Sequence, residues 1–280
     1  MLFKLFAVAA LSVAAYGMPS SSPVGCRSEP TAEFLELTKR MALDEKENGG
    51  LSKRASSSIH VDVYFHVIAA SNYAQDGYLS TQQINDQVNV MNQRFAPYNI
   101  QFTLRGTDWT VNSNWAYGYN NYAMQSSLRK GDYKTLNLYT MQTVYPQDTE
   151  TTGFCNLPVQ NPSQSAFISD GCFLTTRTMP GGNSPLQHLG LTAVHEIGHW
   201  FGLLHTFTGN SCTGSGDYVD DTPAQASATY GCVQSRDSCP NQPGSDPIHN
   251  YMDYTCDDLR NEFTRGQVAR IYSFWDSCRA

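Results

Sequence analysis

The chain has 280 residues, of which 40% are hydrophobic and 15% charged, and its formal net charge is -7. This length suits one good-sized domain with processed segments, or two small domains, and the hydrophobic fraction is ample for a packed core. The acidic balance supplies no basic patch to displace counterions from phosphates, which argues against a nucleic-acid partner.

The first seventeen residues have the pattern of a signal peptide. Lys4 provides a small positive segment, residues 5–15 form a short apolar run, and small residues lead to Gly17. The apolar run is too short for a transmembrane helix, and no later segment approaches the ~18 apolar residues that span a bilayer. We therefore expect residues 1–17 to be removed and the protein to be secreted, extracellular and without a membrane partner.

Residues 18–54, which we call the leader, differ in composition from the chain that follows. The leader contains three prolines, a charged and helix-prone run over residues 31–48, and a final dibasic pair, Lys53-Arg54. A dibasic pair in a glycine-flanked linker is accessible to a processing protease, although it can also be an ordinary solvated pair. We predict a propeptide at 18–54 and a catalytic domain at 55–280.

The first part of this domain alternates between predicted strands and helices. Residues 59–68 have the period-2 hydrophobicity of a half-buried strand, and Ser80 can cap a helix over 81–95. Further strands are predicted at 99–105, 135–140 and, more weakly, 166–174. This order predicts an α/β (α+β) fold with a mixed sheet.

The residues from His195 to His205 read HEIGHWFGLLH. Because His195 and His199 are four apart, a helix places both imidazoles on one face, one turn from each other. Gly202 permits a backbone bend that a side chain resists, after which His205 can approach the same metal ion. Three apolar residues lie on another face of this helix and can pack against the sheet: Val194, Ile197 and Phe201.

This pattern predicts one catalytic zinc ion. Three neutral imidazoles suit Zn²⁺ and leave its fourth tetrahedral position for water, which zinc acidifies toward a pKa of ~7. Glu196 can take the proton of the zinc-activated water and later deliver it to the departing amine. The prediction therefore assigns His195, His199 and His205 to the metal and Glu196 to general-base catalysis.

The long form of the motif resembles the metzincin clan of metallopeptidases, whose second marker is a tight turn containing methionine. Met252, within Asn-Tyr-Met-Asp-Tyr, follows His205 by 47 residues (252 minus 205) and fits that turn. Tyr254 matches a tyrosine that in some metzincins binds the metal or the tetrahedral oxyanion; the alternative is an ordinary buried tyrosine. Together with Asp221-Thr-Pro, these motifs resemble the pappalysin family, and the layout is similar to secreted fungal extracellular metalloproteases.

The resemblance covers residues 55–280 in layout, with its specific motifs between 195 and 256. It implies a metzincin-type catalytic domain, with a twisted mixed sheet and two long helices followed by an irregular, disulfide-tied C-terminal subdomain. It also implies two disulfides, to which we add one local candidate: Cys212–Cys239, Cys232–Cys256 and Cys155–Cys172. Cys278 is then left over, although spacing alone does not determine the connectivity.

Cys26 stands alone in the leader, 129 residues before the next cysteine (155 minus 26). A thiolate is a good fourth zinc ligand and would exclude the attacking water, so Cys26 is a candidate switch that keeps the precursor latent. Its flanking residues differ from the switch sequence of matrix metalloproteases. The alternative is an unpaired or disulfide-linked cysteine.

Two acidic segments suggest further sites. The loop Asp217–Thr222 carries three aspartates near glycines and is a candidate Ca²⁺ site, with a solvated acidic loop as the alternative. Asp257 and Asp258 follow the methionine turn, where an acidic pocket floor would favour Arg or Lys after the scissile bond.

The sequence thus predicts a secreted zinc endopeptidase acting on proteins or peptides. A non-catalytic zinc-binding module is the alternative from another class, and Glu196 argues against it because pure binding needs no base. A zinc hydrolase of non-peptide amides shares the ligands but not the metzincin features. The oligomeric state and the physiological substrate are not specified by these patterns.

Overall fold

The computed structural model describes residues 25–48 and 58–280. The predicted signal peptide and the Lys53-Arg54 pair lie outside these residues. The helices are α1 (Ala32–Asn48), α2 (Thr81–Phe95), α3 (Ser113–Ala116), α4 (Asn121–Leu128), α5 (Gln164–Ser169), α6 (Leu191–Trp200) and α7 (Arg265–Phe274). The strands are β1 (Gly25–Cys26), β2 (Ile59–Ala69), β3 (Ile100–Val111), β4 (Leu136–Met141), β5 (Thr151–Cys155) and β6 (Cys172–Thr175). Within the described ranges, no helix is both long and apolar enough to cross a membrane.

The strands of the described residues form one mixed sheet in the order β1-β5-β6-β4-β2-β3. Neighbouring strands are parallel except β5 and β6, which are antiparallel. The first strand belongs to the leader and pairs with β5, so the leader occupies one edge of the sheet. This placement decides what covers the site described below.

The main core lies between one face of the sheet and helices α2 and α6. Alternate residues of β2 from Ile59 to Val67 are buried there, as the period-2 pattern predicted. Helix α2 begins at a capping box in which Ser80 and Gln83 satisfy each other's backbone N–H groups. Three apolar residues of α2 enter this core, each contributing roughly 1.5–3 kcal/mol of hydrophobic stabilisation: Ile84, Met91 and Phe95. Val88, on the same helix, is also buried.

One predicted strand is wrong. Residues 166–174 do not form a continuous strand, because Ser163 caps the short helix α5 by accepting a hydrogen bond from the Ala166 backbone N–H. Asp170 then ends the helix, and its buried carboxylate is held by Arg279 and the indole N–H of Trp200. The strand itself starts only at Cys172. A side-chain cap and a distant ion pair, rather than local hydrophobicity, decide this segment.

The C-terminal part of the domain has little regular structure before α7. Two disulfides tie it together, Cys212–Cys239 and Cys232–Cys256, and a third, Cys155–Cys172, joins β5 to β6. Among the described cysteines, Cys26 and Cys278 are free. The predicted pairings and the predicted fold class, a mixed sheet with α2 and α6 and an irregular disulfide-tied end, are confirmed.

Candidate active site

Helix α6 carries the first half of the site through the middle of the protein. All ten of its residues are buried, with Val194, Ile197 and the following Phe201 in the main core. The helix therefore cannot rotate without unpacking that core. His195 and His199 lie one turn apart on its other side, as the four-residue spacing predicted.

A sharp turn after α6 returns the chain toward the same point. Gly202 has φ +96, in the left-handed region that favours glycine, and an added Cβ would lie 2.2 Å from the Phe274 ring. The turn brings His205 back to α6, with its Nε2 atom 3.0 Å from that of His199. The Nε2 atoms of His199 and His195 are 3.2 Å apart.

Backbone carbonyls orient two of these rings. His195 Nδ1 lies 2.6 Å from the Tyr251 carbonyl, and His199 Nδ1 lies 2.8 Å from the Leu203 carbonyl. A carbonyl only accepts hydrogen bonds, so each Nδ1 carries the proton and each Nε2 presents a lone pair. Burial lowers the pKa of His199 to about 4 and, helped by the neighbouring histidines, that of His195 and His205 well below the usual value. The three rings are therefore neutral.

Met252 lies under α6, where the resemblance to metzincins placed it. It is fully buried, and a Cβ on Gly198 would be 2.5 Å from its sulfur. Asn250 holds the turn by accepting from the Met252 N–H and bonding Gln267 of α7. The same turn contains Tyr251, whose carbonyl accepts from His195 Nδ1, so the turn helps to fix the orientation of the His195 ring.

Glu196 is buried beside the histidines. Its Oε2 atom lies 3.1 Å from Cys26 Sγ and 3.4 Å from Ser28 Oγ, while Oε1 has no hydrogen-bond partner among the described residues. Burial raises the pKa of Glu196 to about 8, against the opposing hydrogen bonds from Cys26 and Ser28. Gly153 of β5 leaves room for the carboxylate, since a Cβ there would be 2.9 Å from it.

Tyr254 lies on the other side of His205. Its Oη atom is 3.1 Å from His205 Nε2, donates to the Cys26 carbonyl at 2.9 Å and accepts from the Cys26 N–H at 3.1 Å. Burial, with the nearby Cys26 and Glu196, raises the pKa of the phenol. The structure thus brings together all five predicted site residues: His195, Glu196, His199, His205 and Tyr254.

The leader enters this group of residues directly. The Cys26 sulfur and one nitrogen of each of the three histidines all lie within 4.8 Å of one another. Sequence reasoning missed Ser28, which is buried. Its Oγ accepts from Cys26 Sγ and from the Cys155 backbone N–H, and its backbone N–H donates to Cys26 Sγ. Ser28 follows Cys26 by two residues, and this spacing places both side chains on the same side of an extended segment. That spacing was the signal in the sequence that could have identified Ser28.

Sequence reasoning also missed Phe207. Its ring stacks on His205 with centroids 4.8 Å apart and planes 9° apart, which limits the rotation of that imidazole. Phe207 is only two residues beyond His205, but nothing in the local pattern indicated an aromatic stack. The orientation of His205 is therefore set by Phe207 and Tyr254 rather than by a backbone carbonyl.

The candidate calcium loop has its carboxylates directed to separate partners. Asp220 pairs with Lys46 of α1, and Asp221 accepts from Thr264 and the Gly266 N–H at the start of α7. Asp217 is buried with one oxygen unpartnered among the described residues, and burial raises its pKa to about 7. Calcium binding here stays a prediction.

One of the two aspartates that were expected to form an acidic pocket after the methionine turn is paired with an arginine. Asp257 is buried, forms an ion pair with Arg260 and accepts from the Leu189 N–H. It therefore offers no unpaired charge to a basic substrate residue, and that expectation now depends on the exposed Asp258. Asp258 lies near Cys232 and Cys256, whose sulfurs are joined in a disulfide and cannot ligate a metal as thiolates.

Comparisons with known proteins agree on one family. The family model described as pregnancy-associated plasma protein-A, a peptidase family, matches residues 119–276. An extracellular metalloprotease of Neurospora crassa is 47% identical over 99% of this chain and 97% of its own length. An extracellular metalloprotease of Pyricularia oryzae is 49% identical over 99% of this chain and 96% of its own length.

Two solved structures from Tannerella forsythia are similar to this one. Mature mirolysin in complex with a cleaved peptide has a TM-score of 0.64 and 27% identity, covering 79% of this chain and 93% of its own. A promirolysin mutant has a TM-score of 0.69 and 25% identity, covering 90% of this chain and 94% of its own. The precursor form thus matches a larger share of this chain than the mature form.

Proposed function

The chain belongs to the pappalysin family of metallopeptidases, and from that membership we propose that it is a secreted zinc endopeptidase made as a latent precursor. Residues 1–17 serve as signal peptide, 18–54 as propeptide and 55–280 as catalytic domain. The observation that carries the proposal is the convergence of three imidazole nitrogens, two of them on fully buried rings, beside the Glu196 carboxyl group.

The residues present fit a zinc ion. Three Nε2 lone pairs meet at one buried point, an arrangement that is repulsive unless a cation lies between them. His195, His199 and His205 would hold the metal, with Cys26 Sγ as a further ligand in the precursor. When bound, zinc supplies Lewis-acid chemistry that polarises the substrate carbonyl and acidifies water.

Glu196 moves the protons of the reaction. It removes a proton from the attacking water as the oxygen bonds to the carbonyl carbon, and delivers it to the amine nitrogen as the C–N bond breaks. Tyr254 Oη, once freed from Cys26, donates a hydrogen bond to the oxygen of the scissile carbonyl as negative charge develops there.

The leader keeps the precursor latent by engaging each of these groups. Cys26 contacts Glu196 through its sulfur and Tyr254 through its backbone, and β1 covers the free edge of β5. A substrate segment therefore cannot reach the site until the leader is cut, for which Lys53-Arg54 is the proposed position. The protein would act on protein or peptide substrates outside the cell, like the relatives named extracellular.

The test is cleavage of an unfolded protein by processed enzyme, with zinc content measured by atomic emission. Three further samples are compared: a Glu196→Gln variant, an exposed-site control Glu262→Gln, and wild type treated with chelator and then given zinc. We expect Glu196→Gln to keep zinc but lose cleavage, the control to stay active, and zinc to restore the chelated sample.

Two results would contradict the proposal. If folded, zinc-loaded wild type cleaves nothing, the result favours the alternative function, a non-catalytic zinc-binding module. If Glu196→Gln cleaves as fast as the control, the proton-transfer role of Glu196 is wrong even though the metal site stands.

A further inference from the structure

The leader contacts the rest of the protein at a second place, through helix α1 rather than through Cys26. Three residues of α1, spaced by three and four, are buried on one side of the helix: Phe34, Leu37 and Met41. They form an apolar cluster with Leu204 and Phe274, and the Phe34 and Phe274 rings stack at 5.0 Å with planes 9° apart. The spacing is that of an amphipathic helix seated on a groove.

The end of α1 adds a buried ion pair. Glu45 accepts from Arg270 Nε and a terminal guanidinium nitrogen, each at 3.1 Å, and from Ser273 Oγ at 2.5 Å. The Arg270 side chain is 2% exposed, so its charge is matched inside the contact. At the rim, Lys46 pairs with Asp220 at 2.9 Å. Apolar packing and complementary charges therefore both favour the binding of α1 at this position.

We call the surface under α1 the helix face: Leu204, Tyr218, Arg270, Ser273 and Phe274. Residues outside the leader hold it in place. Arg270 also donates to the Tyr218 carbonyl at 2.7 Å, and Phe274 fills the space over Gly202. The helix carrying Arg270, Ser273 and Phe274 begins at its own capping box. The face is thus built by the catalytic domain, not by the helix that covers it.

We propose that the helix face is a docking site that keeps the leader bound after the chain is cut between α1 and β2, with α1 of this chain as the occupant. Only residues 27–33 separate Cys26 from Phe34, so a docked α1 holds Cys26 at a high local concentration, on the order of millimolar, beside the histidines. Cutting alone then leaves the enzyme blocked. Activation requires α1 to leave the helix face. This proposal rests on the function proposed above, in which removal of the leader activates the peptidase.

The test uses the full chain with a site-specific protease site inserted between Gly49 and Ser57, so that cutting does not depend on Lys53-Arg54. Glu196→Gln prevents self-digestion, and Cys26→Ser removes the thiol contact. Into this background we place Glu45→Gln or a matched control, Glu36→Gln, an exposed glutamate of the same helix. After cutting, gel filtration with mass spectrometry measures how much leader remains bound, and fluorescence anisotropy of labelled leader measures its Kd.

We expect the background protein and Glu36→Gln to retain the leader at micromolar concentration. Glu45→Gln should raise the Kd by at least about thirtyfold, because it leaves the Arg270 charge buried without its partner. Phe34→Ala should weaken binding by a second, independent route. Loss of the background leader on cutting, or equal retention by Glu45→Gln and Glu36→Gln, would overturn the proposal. The readout is leader binding, so it does not change if the peptidase mechanism proves wrong.

Discussion

Replacing Gly202 by alanine tests how the third histidine is positioned. Gly202 is the bend between α6 and His205, and its φ of +96 places the backbone where L-residues are strained. A Cβ there would meet three Phe274 ring atoms at 2.2, 2.4 and 2.8 Å, closer than non-bonded carbon atoms approach. Either the turn or the Phe274 ring must therefore move.

The cost has two parts. Left-handed strain amounts to about 1–2 kcal/mol for a residue with a Cβ, and overpacking of a filled core costs typically ~1–3 kcal/mol. The sum is about 2–5 kcal/mol, and a domain of this size loses roughly 2–4 °C of Tm per kcal/mol. We expect a fall in Tm of roughly 4–20 °C, together with loss of zinc, because displacement of the turn carries His205 away from His199.

Gly209→Ala is the matched control, because Gly209 also has a left-handed φ, +87, but an added Cβ would meet nothing within 4 Å. It should show the strain alone, a fall of roughly 2–8 °C, and keep its zinc. Scanning fluorimetry gives Tm and atomic emission gives the zinc content. If the two variants have the same Tm and bind equal amounts of zinc, packing of Phe274 on the turn does not position His205.

Three shorter predictions address other groups. Tyr254→Phe should lower kcat about 10²–10³-fold with little change in KM, as expected for an oxyanion donor; an unchanged kcat refutes that role. Cys26→Ser should shorten the lag before a cut precursor cleaves a peptide substrate, because one contact of the leader with the site is lost; full activity in uncut wild type refutes latency through Cys26. Burial raises the pKa of Asp217 from 3.8 to about 7, so wild type loses stability as pH rises from about 4 to 7, whereas Asp217→Asn should not. With EGTA present to remove calcium, Asp217→Asn should therefore have a higher Tm than wild type at pH 8. Parallel curves of Tm against pH for the two proteins would contradict this. If added calcium raises the Tm of wild type but not of the variant, that result supports the predicted calcium site.

Local patterns predicted the elements whose structure depends on their own residues. Helix α2 has the predicted bounds, because its cap, its apolar face and its end are all encoded within residues 80–95. The histidine motif likewise placed His195 and His199 through helical periodicity alone. Predicted strands near 59–68 and 135–140 match β2 and β4 within a residue at each end.

Elements stabilised by distant partners were missed or misassigned. Strand β5 has no strong alternating pattern and exists because β1 and β6 pair with its two edges. The segment 166–174 was misread because Asp170 is held by Arg279, more than a hundred residues away. The charge of Asp257 looked available in the sequence, but Arg260 neutralises it in the fold.

By itself, the sequence determined which chemistry this protein can carry: three imidazoles and a carboxylate at helical spacing, a bend at Gly202 and a methionine turn. Only the tertiary structure decided where the leader lies. It places Cys26 against Glu196 and Tyr254, and α1 against Arg270 and Phe274. The reason is physical: spacing within a helix sets the directions of its side chains, whereas contacts between residues about 170–250 positions apart depend on how the whole sheet and its helices pack.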